Sequence, residues 1–184
     1  MDLFKIEGKV VKPTEHALLL YPFSEIWDRD KGSDKGQALK EYKFIEFMCS
    51  YKRSNPFKGF PKDRIQTEVS KSVFKDPDYE PDDLIVECME EYKKFRDEAA
   101  PTLVYYLSAK SGAEKMMKWF NDFDMNTVNE RSGNPLYKPK DVTSGLKDTQ
   151  DILKTLNALE EKVYEEIYES TKTKGNKEIN HFEQ

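Results

Sequence analysis

The sequence predicts a mainly α protein: a helical bundle of four to five helices with an extended N-terminal arm and a long C-terminal helix. Three observations lead there. Apolar residues recur at three- and four-residue spacing over most of the chain beyond residue 36. Charged residues make up 35% and apolar ones only 37%, which suits a thin core wrapped in solvated charge. The stretch from 139 to 172 keeps one apolar seam for many turns. With 184 residues the chain is long enough for one domain of ordinary size and too short for two by default. The 11 Phe, 10 Tyr and 2 Trp argue against wholesale disorder, because disordered chains are poor in such residues.

Residues 1–30 read as the arm. "LFKIEGKVV" and "HALLLYPF" are short apolar runs divided by Lys12-Pro13-Thr14, compatible with extended segments or a hairpin. Val10, Val11, Leu18, Leu19 and Leu20 need burial, and a neighbouring subunit would supply it. Deleting 1–13 is therefore expected to spare the folding of the bundle and impair assembly.

The bundle domain is expected over 31–172. Ser33 and Asp34 are placed to cap a helix of about 36–52, whose stripe is Ala38, Leu39, Tyr42, Ile45, Met48 and Cys49. Asn55-Pro56 through Pro61 breaks the chain, and Ile65, Val69 and Val73 mark a shorter helix over 63–74. Pro81 fits the first position of the next helix, where a missing N–H is harmless. Its stripe continues through Pro101, a residue that breaks or kinks a helix, so segments of 81–99 and 101–122 are expected. Helix 139–172 would span roughly 50 Å at 1.5 Å per residue and overhang a small bundle. Residues 173–184 read as a polar tail. Contact positions on the overhang and tail are Tyr164, Tyr168, Lys172, Lys174, Lys177 and Phe182.

The net charge of −5 conceals two opposed runs. From Lys31 to Arg64 nine bases face four acids, about +5; from Asp76 to Glu98 ten acids face three bases, about −7. Such asymmetry can steer association between unlike faces. The basic run carries Tyr42, Tyr51, Phe57 and Phe60 among its cations, a composition that could neutralise phosphates and stack bases. The net negative charge and the missing recognition motif count against a sequence-reading duplex binder.

Catalytic, cofactor and metal sites are not expected. Asp122, Asp124 and Asn126 stand at positions one, three and five of a calcium loop, but Thr127 and Gly133 occupy positions six and twelve, where glycine and a bidentate glutamate are required. "NERSGNPLYKPKDVTSGLKD" is then a corner between two helices, with Tyr137 exposed on it for contacts. No glycine-rich phosphate cradle occurs, and His16 and His181 lie at opposite ends without ligand spacing. Glutamate pairs at 87, 90 and 91, or at 160, 161, 165 and 166, lack the Glu-x-x-His of helical di-metal sites. Cys49 and Cys88 read as small core residues, and no apolar run is long enough for a membrane span or signal peptide. A soluble protein of a reducing compartment is expected.

"PFSEIWDRDKGSDKGQALKEYKFIEFMCSYKRSNPF" (22–57) and the stretch from "AAPTLVYYLSAKSGAEKMMKWFNDFDMN" to "ALEEKV" (99–163) carry the motifs "IWDRDK", "FMCSYKR" and "FDMN…GNP.YKP.D". In these segments the chain resembles virion structural proteins of crAss-like tailed bacteriophages of gut bacteria. The resemblance implies a head–tail connector: a ring or adaptor in the virion neck, assembled in the host cytoplasm. Its partners would be further copies of itself, about twelve by likeness to portal adaptors, then the portal and other neck and tail proteins. Transient, non-specific contact with genomic DNA in the channel is implied, and no membrane. The alternatives are a head auxiliary or scaffold-like assembly protein and, further off, a helical nucleic-acid-binding regulator.

Overall fold

A computed structural model describes residues 3–8, 10–61, 63–122, 124, 126–135 and 137–172. The chain is mainly helical, with a long C-terminal helix. Strands β1 (Phe4–Glu7) and β2 (Val10–Pro13) are followed by α1 (Glu15–Leu18), α2 (Phe23–Arg29), α3 (Gly36–Cys49), α4 (Ile65–Phe74), α5 (Asp83–Ala99), α6 (Pro101–Asp122) and α7 (Pro139–Lys172). Two compact units result among the described residues: those from 3 to 99 together with 167–172, and Ala100–Glu166. The expected single bundle over 31–172 is thus divided after α5.

The first unit is built around α3, whose buried residues Ala38, Glu41, Tyr42, Phe44, Ile45, Glu46 and Cys49 take up all of the helix but the strip that carries Lys40 and Lys43. The β-hairpin, α2, α4 and α5 cover it. The N-terminal segment is not an arm over its described residues. β1 and β2 pair antiparallel with Phe4 opposite Pro13 and Glu7 opposite Val10, turning through Gly8 at a φ of 63° that L-residues rarely adopt. Leu3, Phe4 and Val11 then enter the same core as Phe23 and Ile26 of α2. Phe4 is the meeting point, its ring centroid lying 5.8 Å from Phe23, 5.2 Å from Tyr42 and 5.6 Å from Tyr92. Runs too short to form helices or long strands are buried here because one strand face, alternating with a polar one, suffices to lid α3.

Polar groups lock this packing. Asp30 caps α3 from a distance, its carboxylate accepting from the N–H of Ala38 and of Gly32 at 2.9 Å each, which holds its pKa below the ordinary value. The expected cap Asp34 accepts only a longer bond from Gly36 N–H, at 3.3 Å. At the other end, buried Asn55 donates to the carbonyls of Phe47 and Ser50, and Arg96 donates to that of Cys49. The two buried carboxylates of α3 are answered as well. Arg29 reaches Glu41 at 2.8 Å and Asp82 at 2.6 Å, while Tyr92 donates to Glu46 Oε2 at 2.7 Å and Lys52 lies 3.6 Å from Oε1. Cys49 and Cys88 are buried, and desolvation pushes each thiol up to about 12.

Two lysines adopt left-handed backbone, Lys35 before α3 and Lys75 after α4. Lys35 is held there: its ammonium donates to the carbonyls of Trp27 and Asp30 and lies 5.3 Å over the Trp27 ring. Lys75 is exposed at a helix C-terminus, where glycine is the favoured residue.

Lys75→Gly is expected to raise stability by about 1 kcal/mol, and Lys35→Gly to lower it, since only Lys35 offsets its strain with side-chain contacts. Urea unfolding of both variants checks the opposite signs. Phe4→Ala should lower stability by about 3–5 kcal/mol in the same assay. Deletion of 1–13 should unfold the first unit, contrary to what an arm would allow.

Candidate assembly surfaces

The second unit is a helical hairpin. Pro101 starts α6 because its absent N–H needs no partner in a first turn. The next free N–H, that of Thr102, donates to Glu166 Oε2 at 3.1 Å, and the Thr102 hydroxyl donates to Glu166 Oε1. A carboxylate from α7 thereby caps the positive end of α6. At the opposite end Gly145 of α7 approaches Phe120 so closely that a Cβ would lie 2.8 Å from the ring. The start of α6 meets the end of α7 and the reverse, so the helices run antiparallel. Leu103, Tyr106 and Ala113 of α6 and Leu156 and Val163 of α7 are buried.

The connecting corner is closed by its own backbone. Val128 bridges to Pro135, Asn129 exchanges bonds with Asn134 and Gly133, and Asn129 Oδ1 accepts from the N–H of Arg131 and Ser132. Gly133 takes a φ of 67°. Asp124, the third position of the rejected calcium pattern, accepts from Asn126 N–H, and no group of three potential ligands is disposed to hold a metal among the described residues.

Two helices cannot surround one another, and α6 shows the consequence. Tyr105 is 73% exposed, Met117 50%, Val104 46% and Trp119 45%. Tyr105, Gly112, Met116 and Trp119 follow seven-, four- and three-residue steps and so share the face turned away from the buried Leu103–Tyr106–Ala113 stripe. On α7, Leu146 and Leu153 are exposed seven residues apart. Beside the seam lies an open groove of about 360 Å³, with Ala109, Ile152 and Leu156 in its lining and Asp148, Asp151 and Thr155 alongside. These surfaces escaped the sequence analysis, which followed one apolar stripe through Pro101 without asking how few helices were present to cover α6.

The expected contact residues scatter. Val11 is buried in the first core, Leu18 is half-buried and Leu20 packs against that core, so of these five expected contact residues Val10 and Leu19 are exposed. Tyr137 is half-buried with its ring 5.6 Å from Trp119, rather than free for contacts. Tyr164 donates to Glu160 on its own helix, and Tyr168 is exposed. Lys172 ends α7; Lys174, Lys177 and Phe182 lie outside the described residues.

The charge runs change character once folded. Two of the four acids in the basic run, Glu41 and Glu46, are buried, while Lys31, Lys40, Arg53 and Arg64 are exposed beside Asp34 and Asp63. Two of its aromatic residues are used internally, Tyr42 being buried and donating to the Phe23 carbonyl and Phe57 packing between Phe47 and Phe60, while Phe60 is 41% exposed. A base-stacking platform of Tyr42 and Phe57 is therefore not on the surface. On α5, Asp83, Glu87 and Glu90 remain exposed.

Compared with known proteins, the chain matches no family model, no curated protein and no solved structure. No described helix is long and apolar enough to cross a membrane.

Glu166→Ala should remove the cap on α6 and lower the stability of the hairpin by about 1 kcal/mol. Hydrogen exchange at the first turn of α6 should accelerate while amides of α3 keep their protection.

Proposed function

We propose that this chain is a structural subunit of a tailed-phage virion, an oligomeric ring or adaptor that connects portal to tail in the neck. The observation that carries the reading is α6, a helix with large apolar side chains exposed on several sides. A helix that is apolar all round is stable in water only when other helices enclose it, and a contiguous exposed patch on a folded chain marks a contact surface. The resemblance of 22–57 and 99–163 to virion proteins of crAss-like phages supplies the kind of assembly. A subunit in a ring gains its missing neighbours from copies on either side, through an interface that closes. Portal and tail proteins would bound the ring above and below. DNA passing through the lumen would touch it only weakly, since a tightly binding basic lining would hinder ejection.

Mass spectrometry and cryo-electron microscopy of intact particles test this. The expected result is density for the chain at the neck in a fixed, ring-like copy number. Its presence on the capsid shell, or its loss from mature particles, would instead establish a head auxiliary or a scaffold-like assembly protein.

A further inference from the structure

The outer face of α6 is ordered symmetrically about Gly112. Tyr105 precedes that glycine by seven residues and Trp119 follows it by seven, and both are exposed. Seven residues are close to two turns, so all three stand along one line of the helix. Nearer the centre, Ser108 and Ala109 lie four and three residues before Gly112, and Lys115 and Met116 three and four after it. These four are exposed as well. A Cβ added to Gly112 would meet nothing within 4 Å, so no packing inside the chain calls for glycine there, although glycine is among the least favourable residues in mid-helix.

We infer that this face packs against the same face of a second copy of this chain, the two α6 helices running antiparallel and crossing at Gly112. Turned end for end about that glycine, each residue meets one at a like distance on the other side. Tyr105 meets the second copy's Trp119, aromatic beside aromatic. Met116 lies over Ala109, large against small, and Lys115 beside the Ser108 hydroxyl. The missing side chain lets the backbones approach most closely where the helices cross, and the rings fill the widening space at both ends. The occupant is chosen by this order of sizes: only a copy of the same face matches it in reverse about one glycine. Lys110, Glu114 and Lys118 fall on other sides of the helix, which leaves Lys115 as the charge of this face. It stands at the rim, where its stem covers apolar surface and its ammonium stays in water. Such a contact joins like to like and closes after two copies, so it makes a dimer of the unassembled chain. It goes beyond the ring reading, in which other neighbours take over the same face.

The full chain carrying Gly112→Leu separates a close crossing from mere stickiness. Leucine favours helix and adds apolar surface, so the variant should melt no lower than the parent, and a face that simply avoids water would associate more strongly. The crossing has the opposite consequence: sedimentation equilibrium is expected to show that about tenfold more protein is needed for half-association. The register is read by mixing full chains carrying Ser108→Cys with others carrying Lys115→Cys under oxidising conditions, the chain's own Cys49 and Cys88 being buried. The expected product joins position 108 of one copy to 115 of the other, because like positions stand about 9–12 Å apart along the helix axis, too far to bridge. A Gly112→Leu chain that associates as well as the parent, disulfides joining like positions as the main product, or a parent chain that stays monomeric at every concentration overturns the α6-to-α6 contact. The ring reading is decided separately, by whether the chain sits at the neck of intact particles.

Discussion

The first unit depends on one constraint: α3 turns only the strip that carries Lys40 and Lys43 toward water. Residues around the rest of it are buried, including two glutamates. Such a helix is stable only if each buried side is given a neighbour. The chain provides four, by folding its first thirty residues back as a hairpin and a short helix and by laying α4 and α5 against the remaining sides. Phe4, Phe23, Tyr42 and Tyr92 meet because they come from four elements that each need α3 as a wall. The charged residues of α3 are admitted on the same terms. Burying Glu41 and Glu46 would cost several kcal/mol per ion if nothing answered them. Arg29, Lys52 and Tyr92 answer, which ties α2, the turn after α3 and α5 to the central helix.

Helix α6 poses the same problem, and the hairpin it belongs to leaves it unsolved. Its neighbour α7 covers one stripe, with Glu166 fixing one end and Gly145 allowing close approach at the other. Tyr105, Met116, Met117 and Trp119 keep substantial exposure. The contrast between the two helices is the physical basis for reading the chain as part of a larger assembly. Where the large apolar residues of α3 are covered within the chain, several of those on α6 are not, and the charges on α6 and α7 are of opposite sign.

Folding also redistributes the electrostatics. A basic and an acidic run along the sequence would suggest two opposed faces, but half the acids of the basic run are drawn inside to meet cations. What is exposed there is Lys31, Lys40, Arg53 and Arg64 beside Asp34 and Asp63. Tyr42 and Phe57, interspersed with those cations, are spent on packing, so of the stacking groups that single-stranded nucleic acid would use these two are withdrawn from the surface.

The amino-acid sequence by itself determined the helical class, the five main helices with α7 as the longest, and the interruption at Pro101. Each of these depends on a local signal: a period close to 3.6 residues, a proline without an N–H, or a cluster of turn residues. Tertiary structure alone decided that Phe4 and Val11 belong to a core rather than to an arm. It likewise made Asp30, six residues before α3, the main cap, and turned Tyr137 toward Trp119. It also decided which stripes of α6 are left uncovered. Burial is a relation between elements distant along the chain, so a four-residue apolar run carries no record of the wall it will face, and a helix carries none of how many neighbours it will find.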